Sequence, residues 1–398
     1  RCPVASIGRA TAEQQLKLID DRPGQDHLPV IDMALDALLG RPVSMHRDVV
    51  THQIEPQDHG LSSVSLSHAI EAVLSHPTVA SKSFLITIGD RSVGGLSVRD
   101  QMVGPHQVPV SDCAITLRDY QGQAGTVMAM GERTPLAIWD APAASRMAIG
   151  EALTNLAGVA IGDMERVKLS ANWMAAAGHM GQDQALRAAV SAASELCIAL
   201  GLAIPVGKDS LSMQTLMDDE RMISPVSLIV SSFASVNDVN AHITPELQDE
   251  PSVLILVDLG QQRLGGSVLS EVLARGKAHE LGAVPDLDSA AELQSLVSLC
   301  WQWVAEKRLL SLHDRSDGGL ITTVFEMALA GHTGLRLEIP AGLDDSERLA
   351  WLFNEELGVV VQVPQSEQAS FLSALEDRGL GNRARVIAHH PATDSDQS

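Results

Sequence analysis

Short apolar runs alternate with longer Ala- and Leu-rich segments along this chain, and the alternation predicts a mixed α/β fold. The runs at 125–130, 226–234 and 253–260 have the length and the β-branched content of buried strands. The segments at 143–160 and 184–200 are long enough to form helices. Strands and helices mixed at this spacing are typical of α/β or α+β domains.

The same patterns predict further elements and two domain boundaries. Strands are also expected at 3–7, 84–88, 108–110, 335–339 and 358–363, and helices at 33–40, 68–75, 268–274 and 291–308. Polar, proline-containing segments at 51–65 and 235–252 interrupt these elements and indicate linkers. The expected divisions are a tail and linker at 1–65, domains at 66–235 and 250–390, and a disordered end at 391–398.

The chain carries a large excess of acidic residues. Its 398 residues include 50 Asp and Glu against 28 Lys and Arg, a formal net charge of −22. Such a charge argues against binding to nucleic acid or to an anionic membrane surface, which needs a surplus of Lys and Arg. Two interpretations stay open at this stage: solubility charge spread over the surface, or carboxylate-lined sites neutralised by a divalent cation.

Three other features of the composition bear on location. No apolar run reaches the ~18 residues that a membrane helix needs. The four cysteines are widely scattered and show no zinc-like spacing, which suits a reduced cytoplasmic protein. The first residues carry no initiator Met and no signal-peptide pattern, so we expect the sequence to begin at an internal point of a longer protein.

The stretch at 313–320 is the richest in chemistry. It contains two carboxylates and a hydroxyl, ends in a Gly-Gly pair and precedes an apolar run, which is typical of a polar loop that leads into a helix. Backbone N–H groups at a helix start attract anions, and carboxylates hold hard cations through oxygen. The stretch therefore predicts a site for phosphate and Mg²⁺, although a Gly-Gly pair after a polar loop is also common in an ordinary turn.

Two other places offer oxygen ligands of the same kind. Glu151 and Asn155 are four residues apart in a predicted helix, so both side chains are expected on one helix face. Asp112 follows the apolar run at 108–110 and is expected at a strand end. Acids and amide carbonyls suit Mg²⁺, but a solvated helix face and a capping Asp are the plain alternatives for these residues.

Longer ordered blocks carry a family resemblance that the short patterns do not. They read GDRSVGGLSVRDQMVGPHQVPVSDC at 89–113, GEALTNLAG at 150–158, KLSANWMAAAG at 168–178, GKDSLSM at 207–213, HDRSDGGL at 313–320 and FNEELG at 353–358. In this order they resemble the large, single-chain phosphoribosylformylglycinamidine synthases of purine biosynthesis, over nearly the whole chain. The wider superfamily includes aminoimidazole ribonucleotide synthetase and selenophosphate synthetase.

The resemblance implies a site for Mg²⁺ and for ATP or ADP. The residues that match the family's Mg²⁺ ligands are Asp112, Glu151, Asn155 and Asp314. The residues that match its nucleotide contacts are Ser111 and Ser316, the former through its backbone.

Two cationic residues are also implied near the phosphates. Arg99 lies in the Gly-rich stretch at 94–100, where the alternative is an ordinary hairpin with a surface Arg. Lys208 lies in the block at 207–213, whose spacing does not match a P-loop and which is expected to form a loop of the synthase type. The acidic run at 354–356 stays open between a carboxylate cluster at the site and a solvated helix end.

The resemblance implies a fold and a reaction as well. The chain is expected to be the second half of a pseudo-dimeric synthetase. Its N-terminal α/β domain would pair its sheet into a barrel with the partner half, and its C-terminal α/β domain would have a sheet flanked by helices. The family amidates formylglycinamide ribonucleotide with ATP and glutamine-derived ammonia, and so belongs to the ligases that form C–N bonds.

The expected partners follow from that family. They are small-molecule nucleotides, the first synthetase half and the glutaminase domain of the same polypeptide, with no nucleic acid and no membrane. Because this chain shows no glutaminase nucleophile, we expect it to bind Mg-ATP or Mg-ADP in the cytoplasm without completing the reaction. Whether the site is catalytic or structural stays open, as do two alternatives: an ATP-dependent synthetase or kinase paralogue, and a structural nucleotide-binding module.

Overall fold

The computed structural model divides the chain into two compact units, 1–49 and 50–398. It describes residues 2–24, 26–40, 46, 48–51, 55, 57–61, 64–89, 94–218, 220–274 and 281–390. The division between the units falls earlier than the expected boundary at 65, because residues 57 and 58 bond to residues 281 and 282. Asp58 forms a β-bridge with Leu281, and the Gly282 N–H donates to the Gln57 carbonyl. The expected disordered end at 391–398 lies outside the described residues.

The first unit contains an antiparallel hairpin and a short helix. The hairpin joins β1 (Gln15–Ile19) to β2 (Pro29–Ala34), and α1 (Leu35–Leu39) follows directly. Met33 and Ala34 pair with β1, so the helix expected from residue 33 begins only at Leu35. The strand expected at 3–7 is absent from the described structure.

The second unit begins with a mixed sheet. In the described part of the chain the strand order is β3-β4-β5-β10-β6-β7, with β8 and β9 as a separate hairpin. Its elements are α2 (Leu66–Ser75), α3 (Ser83–Ile88), β3 (Ser97–Arg99), β4 (Ala114–Leu117), β5 (Gly125–Glu132), α4 (Ala141–Thr154), β6 (Lys168–Met174), α5 (Gln182–Leu200), β7 (Ala203–Ser210), β8 (Gln214–Met217), β9 (Glu220–Ile223) and β10 (Ser227–Val236). The β6–β7 pair is parallel, which requires a crossover connection, and α5 provides it.

The two faces of this sheet differ. On β5 the residues at alternate positions from Gly125 are buried in the core with α4 and α5, whereas those between them point to the other face. On that second face Met130 is 56% exposed and Phe233 is 37% exposed. The methionines of β5 and β6 and Trp173 were expected in the core. For Met130 that prediction is wrong, because it lies on the uncovered face.

The rest of the unit is a four-stranded antiparallel sheet with helices. Its described strands run in the order β12-β13-β11-β14. The elements are β11 (Ser252–Asp258), α6 (Val268–Ala274), α7 (Ala290–Ala305), β12 (Ser311–Asp314), α8 (Gly319–Ala330), α9 (Asp345–Phe353), β13 (Gly358–Pro364), α10 (Gln368–Asp377) and β14 (Ala384–His390). Short 3₁₀ turns lie at Thr134–Ile138, Met164–Arg166, Gln365–Glu367 and Gly381–Arg383. Trp301 in α7 donates to the Leu156 carbonyl at 2.9 Å and so joins this part to the end of α4.

The sequence pattern predicts the buried strands and the long helices well. The expected strand at 84–88 is wrong, since these residues form α3, with Leu85 58% exposed and no neighbouring strand among the described residues. The expected strand at 335–339 is also wrong: it bonds to β14 through the Glu338 N–H and the Ile387 carbonyl without forming a strand. At 108–110 there is only a bridge between Val103 and Val108. Short apolar runs do not distinguish helix from strand by periodicity.

Gly131 shows how closely α4 packs on β5. A Cβ at this position would overlap the Ala148 carbonyl oxygen and come within 2.5 Å of the Ala152 nitrogen. We expect Gly131→Ala to lower the free energy of unfolding by about 3 kcal/mol, because helix backbone cannot move aside as a side chain does. Urea denaturation measures this. Gly334→Ala is the control, since its Cβ would meet nothing within 4 Å, and equal effects of the two changes would contradict the packing.

Candidate metal and nucleotide site

A buried cluster of two acids and a histidine lies where the two sheets approach. His313 and Asp314 end β12, and their backbone pairs with Val360 and Val359 of β13. Asp112 lies two residues before β4, at the start of a strand rather than at the end of one as expected. One ligand atom from each of the three side chains lies within 4.8 Å of the others, and their side chains are 9% exposed or less.

His313 is held by a carboxylate at each ring nitrogen. Its Nδ1 lies 2.6 Å from Oδ1 of Asp112, and its Nε2 lies 2.9 Å from Oε2 of Glu326. Burial alone would lower the pKa of His313, but the two carboxylates raise that pKa well above its usual value. The sequence analysis made no assignment for Glu326, because an acid on an amphipathic helix gives no signal of its own.

The two aspartates are held together at an electrostatic cost. Burial raises the pKa of Asp314 to about 7, and the Asp112 charge adds to the effect. Burial likewise raises the pKa of Asp112, against the opposing influence of His313. Within the described structure, Oδ2 of Asp314 is buried and has no hydrogen-bond partner. Buried carboxylates of this kind are normally paired or bound to a metal, so the residues fit a hard cation with oxygen ligands.

Glu151 and Asn155, the pair expected on one helix face, lie in different surroundings. Glu151 lies in the last turns of α4, and its Oε2 accepts from the Glu132 N–H at 2.7 Å. Burial raises the pKa of Glu151 well above its usual value, and the charge of Asp314 adds to this rise. Glu151 is therefore close enough to the cluster to be affected by its charge. Asn155 is the residue that ends α4, and its amide nitrogen donates to the Met130 carbonyl at 2.9 Å. The structure therefore brings Asp112 and Asp314 together, places Glu151 within range of the Asp314 charge and fixes Asn155 on β5.

A buried arginine near the cluster was missed by the sequence analysis. Arg133, 3% exposed, donates to Oδ1 of Asp317 at 2.7 Å and to Oε2 of Glu355 at 2.5 Å. Burial opposes its charge, but Glu355, Asp317 and Glu151 together raise the pKa of Arg133 above its usual value. Its partners are 184 and 222 residues away, so no local pattern could have found it.

The loop after β12 has a rigid geometry. Gly318 and Gly319 have φ values of +83° and +72°, in the left-handed region that favours glycine. A Cβ on Gly319 would lie 2.6 Å from the Phe353 carbonyl carbon. Glu355 accepts from the N–H groups of Gly318 at 2.8 Å and Val268 at 2.9 Å. The run at 354–356 is thus buried and supports this loop; it is not a solvated helix end.

The remaining predicted contacts lie at different distances from the cluster. Ser111 is adjacent to Asp112, and its hydroxyl donates to the Cys113 carbonyl at 2.7 Å. Arg99 ends β3 and pairs with Ile115 of β4, and its Nε is buried without a partner among the described residues. Lys208 lies in β7, not in a loop, and bonds to Ser210 at 2.8 Å. Since β7 is four strands from β4, Lys208 lies ~19 Å across the sheet from it.

A cavity of about 540 Å³ opens beside the cluster. Its volume is in the range of small-molecule sites. Most of its wall is apolar, and its charged residues are Lys82, Asp317 and Glu326. The lining residues are Leu74, Thr78, Val79, Ala80, Ser81, Lys82, Leu85, Ile86, Val108, Pro109, Val110, Ser316, Asp317, Thr322, Phe325, Glu326 and Leu329. Among the described residues, no helix is long and apolar enough to span a bilayer.

Two family models match the chain one after the other. The FGAR-AT PurM_N-like domain matches residues 81–235, and the C-terminal domain of AIR synthase related proteins matches residues 251–396. Together they place residues 81–235 and 251–396 in the PurM-like class of α/β folds.

Solved structures show the same fold. Thermotoga maritima PurL complexed with FGAR has a TM-score of 0.60 at 12% identity, covering 81% of this chain and 49% of that one. The same PurL complexed with ATP has a TM-score of 0.56 at 12% identity, covering 82% and 47%. A HypE–HypF complex has a TM-score of 0.50 at 14% identity, covering 71% and 88%. The chain thus spans about half the length of the PurL chains that it matches. It is a member of the AIR synthase-like superfamily related to PurL, the FGAR amidotransferase, and the expected resemblance is confirmed at this level.

The raised pKa of Asp314 predicts a pH-dependent stability. A carboxyl whose pKa rises from 3.8 to about 7 on folding binds its proton more tightly in the folded state. Its contribution to stability is therefore largest below about pH 4 and is lost as the pH rises from about 4 to about 7. We expect Asp314→Asn to be more stable than wild type at pH 8 without divalent cations, by on the order of 2 kcal/mol, and to match it at pH 4. Urea unfolding with a chelator present measures the difference.

The exposed Asp377 supplies the control for this experiment. Asp377→Asn is expected to change the free energy of unfolding by less than about 0.5 kcal/mol at either pH. An Asp314→Asn variant less stable than wild type at pH 8 would show that the carboxylate is satisfied without a cation.

Proposed function

We propose that this chain is a Mg-nucleotide-binding half of the synthetase portion of a phosphoribosylformylglycinamidine synthase. The observation that carries the proposal is the buried pair Asp112 and Asp314, with an unpartnered oxygen on Asp314, beside a cavity of about 540 Å³. The family models and the fold of the PurL complexes with ATP and FGAR support it. The four cysteines are free thiols, as expected in the reduced cytoplasm, where we place the protein.

The proposed reaction is the ATP-dependent amidation of formylglycinamide ribonucleotide with glutamine-derived ammonia. In it, the amide oxygen of the substrate is phosphorylated, and ammonia then displaces phosphate to give the amidine. Phosphoryl transfer of this kind depends on positioning and on neutralising charge. The glutaminase and the first synthetase half would come from other parts of the same polypeptide.

The nucleotide would be held by polar residues that bind the metal ion and the phosphates and by apolar residues that surround the base. Asp112, Asp314 and Glu151 would bind Mg²⁺, with Asn155 as a further oxygen donor, and the bound ion would neutralise phosphate charge. Ser316, in the loop fixed by the Gly-Gly pair and Glu355, would contact the phosphates. The apolar part of the cavity would bury the base and exclude water from it.

Arg99 and Lys208 lie at different distances from the proposed site. Arg99 is near the Ser111–Asp112 segment through its pairing with β4 and is suited to a phosphate. Lys208 is on the far edge of the sheet, so any phosphate that it binds would belong to a different site, built with the partner half.

The uncovered face of the first sheet supports the expected pairing with that partner half. It presents Met130 and Phe233, 56% and 37% exposed, next to half-buried Met128 and Ile229. Apolar side chains gathered on one sheet face are typical of a surface that another sheet covers. We therefore propose that this face closes a barrel with the corresponding sheet of the first synthetase half.

Two alternatives remain for the nucleotide site. A synthetase or kinase paralogue is favoured by the HypE–HypF match, in which the chain covers 88% of its counterpart. A structural module would bind nucleotide without turnover and add stability by mass action. The three proposals differ in one observable: the synthase half requires FGAR-dependent consumption of ATP when the remaining domains are supplied, and neither alternative does.

Calorimetry with Mg-ADP tests the binding site. We expect Glu151→Ala and Asp112→Asn to weaken binding by about tenfold or more, since each removes a charge from the ion. Glu132→Ala is the matched control, because Glu132 is adjacent in the fold but binds Glu151 through its backbone N–H; it should change affinity by less than about threefold. Equal effects of the two glutamate variants would refute the ligand assignment, and a wild type that binds no Mg-ADP would refute the proposal.

Co-purification tests the barrel face. Met130→Glu places a charge on the uncovered face and should abolish association with the first synthetase half, whereas Met180→Glu, at a position 82% exposed in a loop, should not. Undiminished association of the Met130→Glu variant would show that the halves meet elsewhere.

A further inference from the structure

A chain of three side chains extends from the proposed metal site to the cavity. It begins at Asp112, passes through the ring of His313 and ends at Glu326, which lines the cavity. The three residues come from the segment before β4, from β12 and from α8. Their side chains are 9%, 8% and 28% exposed, so the two contacts are made largely away from water.

The ring of His313 is not suited to be a metal ligand in this arrangement. An imidazole binds a metal through a lone pair on one nitrogen. Here each nitrogen faces a carboxylate oxygen, at 2.6 Å and 2.9 Å, and carboxylates only accept hydrogen bonds when ionised. When both carboxylates are ionised, both ring nitrogens donate to them, and neither nitrogen has a lone pair free for a metal.

The contacts of His313 also select which carboxylate oxygens stay available. Its Nδ1 lies 2.6 Å from Oδ1 of Asp112 and 3.6 Å from Oδ1 of Asp314. Oδ2 of Asp314 is buried and unpartnered in the described structure. The histidine thus lies on the Oδ1 side of Asp314, and the unpartnered Oδ2 of that residue is left for a cation.

We propose that His313 is a positioning residue that fixes Asp112 through Oδ1 beside the unpartnered Oδ2 of Asp314, where the cation would bind, and that Glu326 fixes the ring from its other nitrogen. The inference rests on the proposed metal-nucleotide function. It resembles the general arrangement in which partners outside the ligand set orient the ligands. It also explains how two like charges stay together before the ion arrives, because the ring bonds one acid and lies near the other.

Two amide variants separate the two ring nitrogens. The amide nitrogen of Asn reaches the position of Nδ1, and that of Gln reaches the position of Nε2. Since both variants lose the ring, a merely structural role predicts equal losses. We expect His313→Asn to keep its affinity for Mn²⁺ with ADP within about threefold of wild type and His313→Gln to lose about tenfold or more, as is typical for groups that orient metal ligands.

Electron paramagnetic resonance of free Mn²⁺ in the presence of ADP gives these affinities without turnover. Glu326→Gln keeps an acceptor for the ring and should stay near wild type, whereas Glu326→Leu should bind more weakly. His389→Asn is the control, at an exposed position on β14, the edge opposite β12. Equal affinities of the Asn and Gln variants at His313, whether both high or both low, would overturn the positioning role.

The same titration distinguishes a failure of the proposed role of His313 from a failure of the proposed nucleotide-binding function. A wild type that binds no Mn²⁺ with ADP would overturn the proposed nucleotide site itself. Binding by wild type with no distinction between the two His313 variants would leave that site standing and overturn only the role of His313.

Discussion

The burial of like charges is the constraint on which the site depends. Asp112 and Asp314 are both largely removed from water, and burial followed by their mutual repulsion raises the pKa of Asp314 to about 7. A fold keeps such a pair only if something else offsets its cost. In this chain part of the compensation comes from His313, and an unpartnered oxygen on Asp314 leaves room for a cation to supply more.

Much of the neighbouring structure holds that pair in place. Asp112 lies in the part of the second unit that the first family model matches and Asp314 in the part that the second matches, so their approach depends on how these two parts pack. Trp301 bonds the end of α4, and Arg133 joins the end of β5 to Asp317 and Glu355. Glu355 in turn holds the Gly318 N–H. Buried ion pairs of this kind contribute little net stability compared with apolar packing, but they fix the loop on which the phosphate contacts would lie.

The sequence predicts the scaffold of this site better than its connections. The buried strands at 253–260 and 358–363 follow from continuous apolar runs, because a strand covered on both faces needs no alternation. The short run at 84–88 was assigned to the wrong class, since its helical form depends on the surroundings rather than on periodicity. The convergence of Asp112 and Asp314 followed only from the ordered blocks of the family. Arg133 and Glu326 were missed, because their roles depend on partners brought together by folding.

The most direct measurement of the central claim is the position of a bound ion. Crystals of the protein grown with ADP and Mn²⁺ would locate the metal by its anomalous scattering. The account predicts a metal within about 2.3 Å of carboxylate oxygens of Asp112 and Asp314, with the diphosphate in its shell and the ring of His313 outside it. A metal bound elsewhere, or one ligated by His313 with the two aspartates apart, would contradict it.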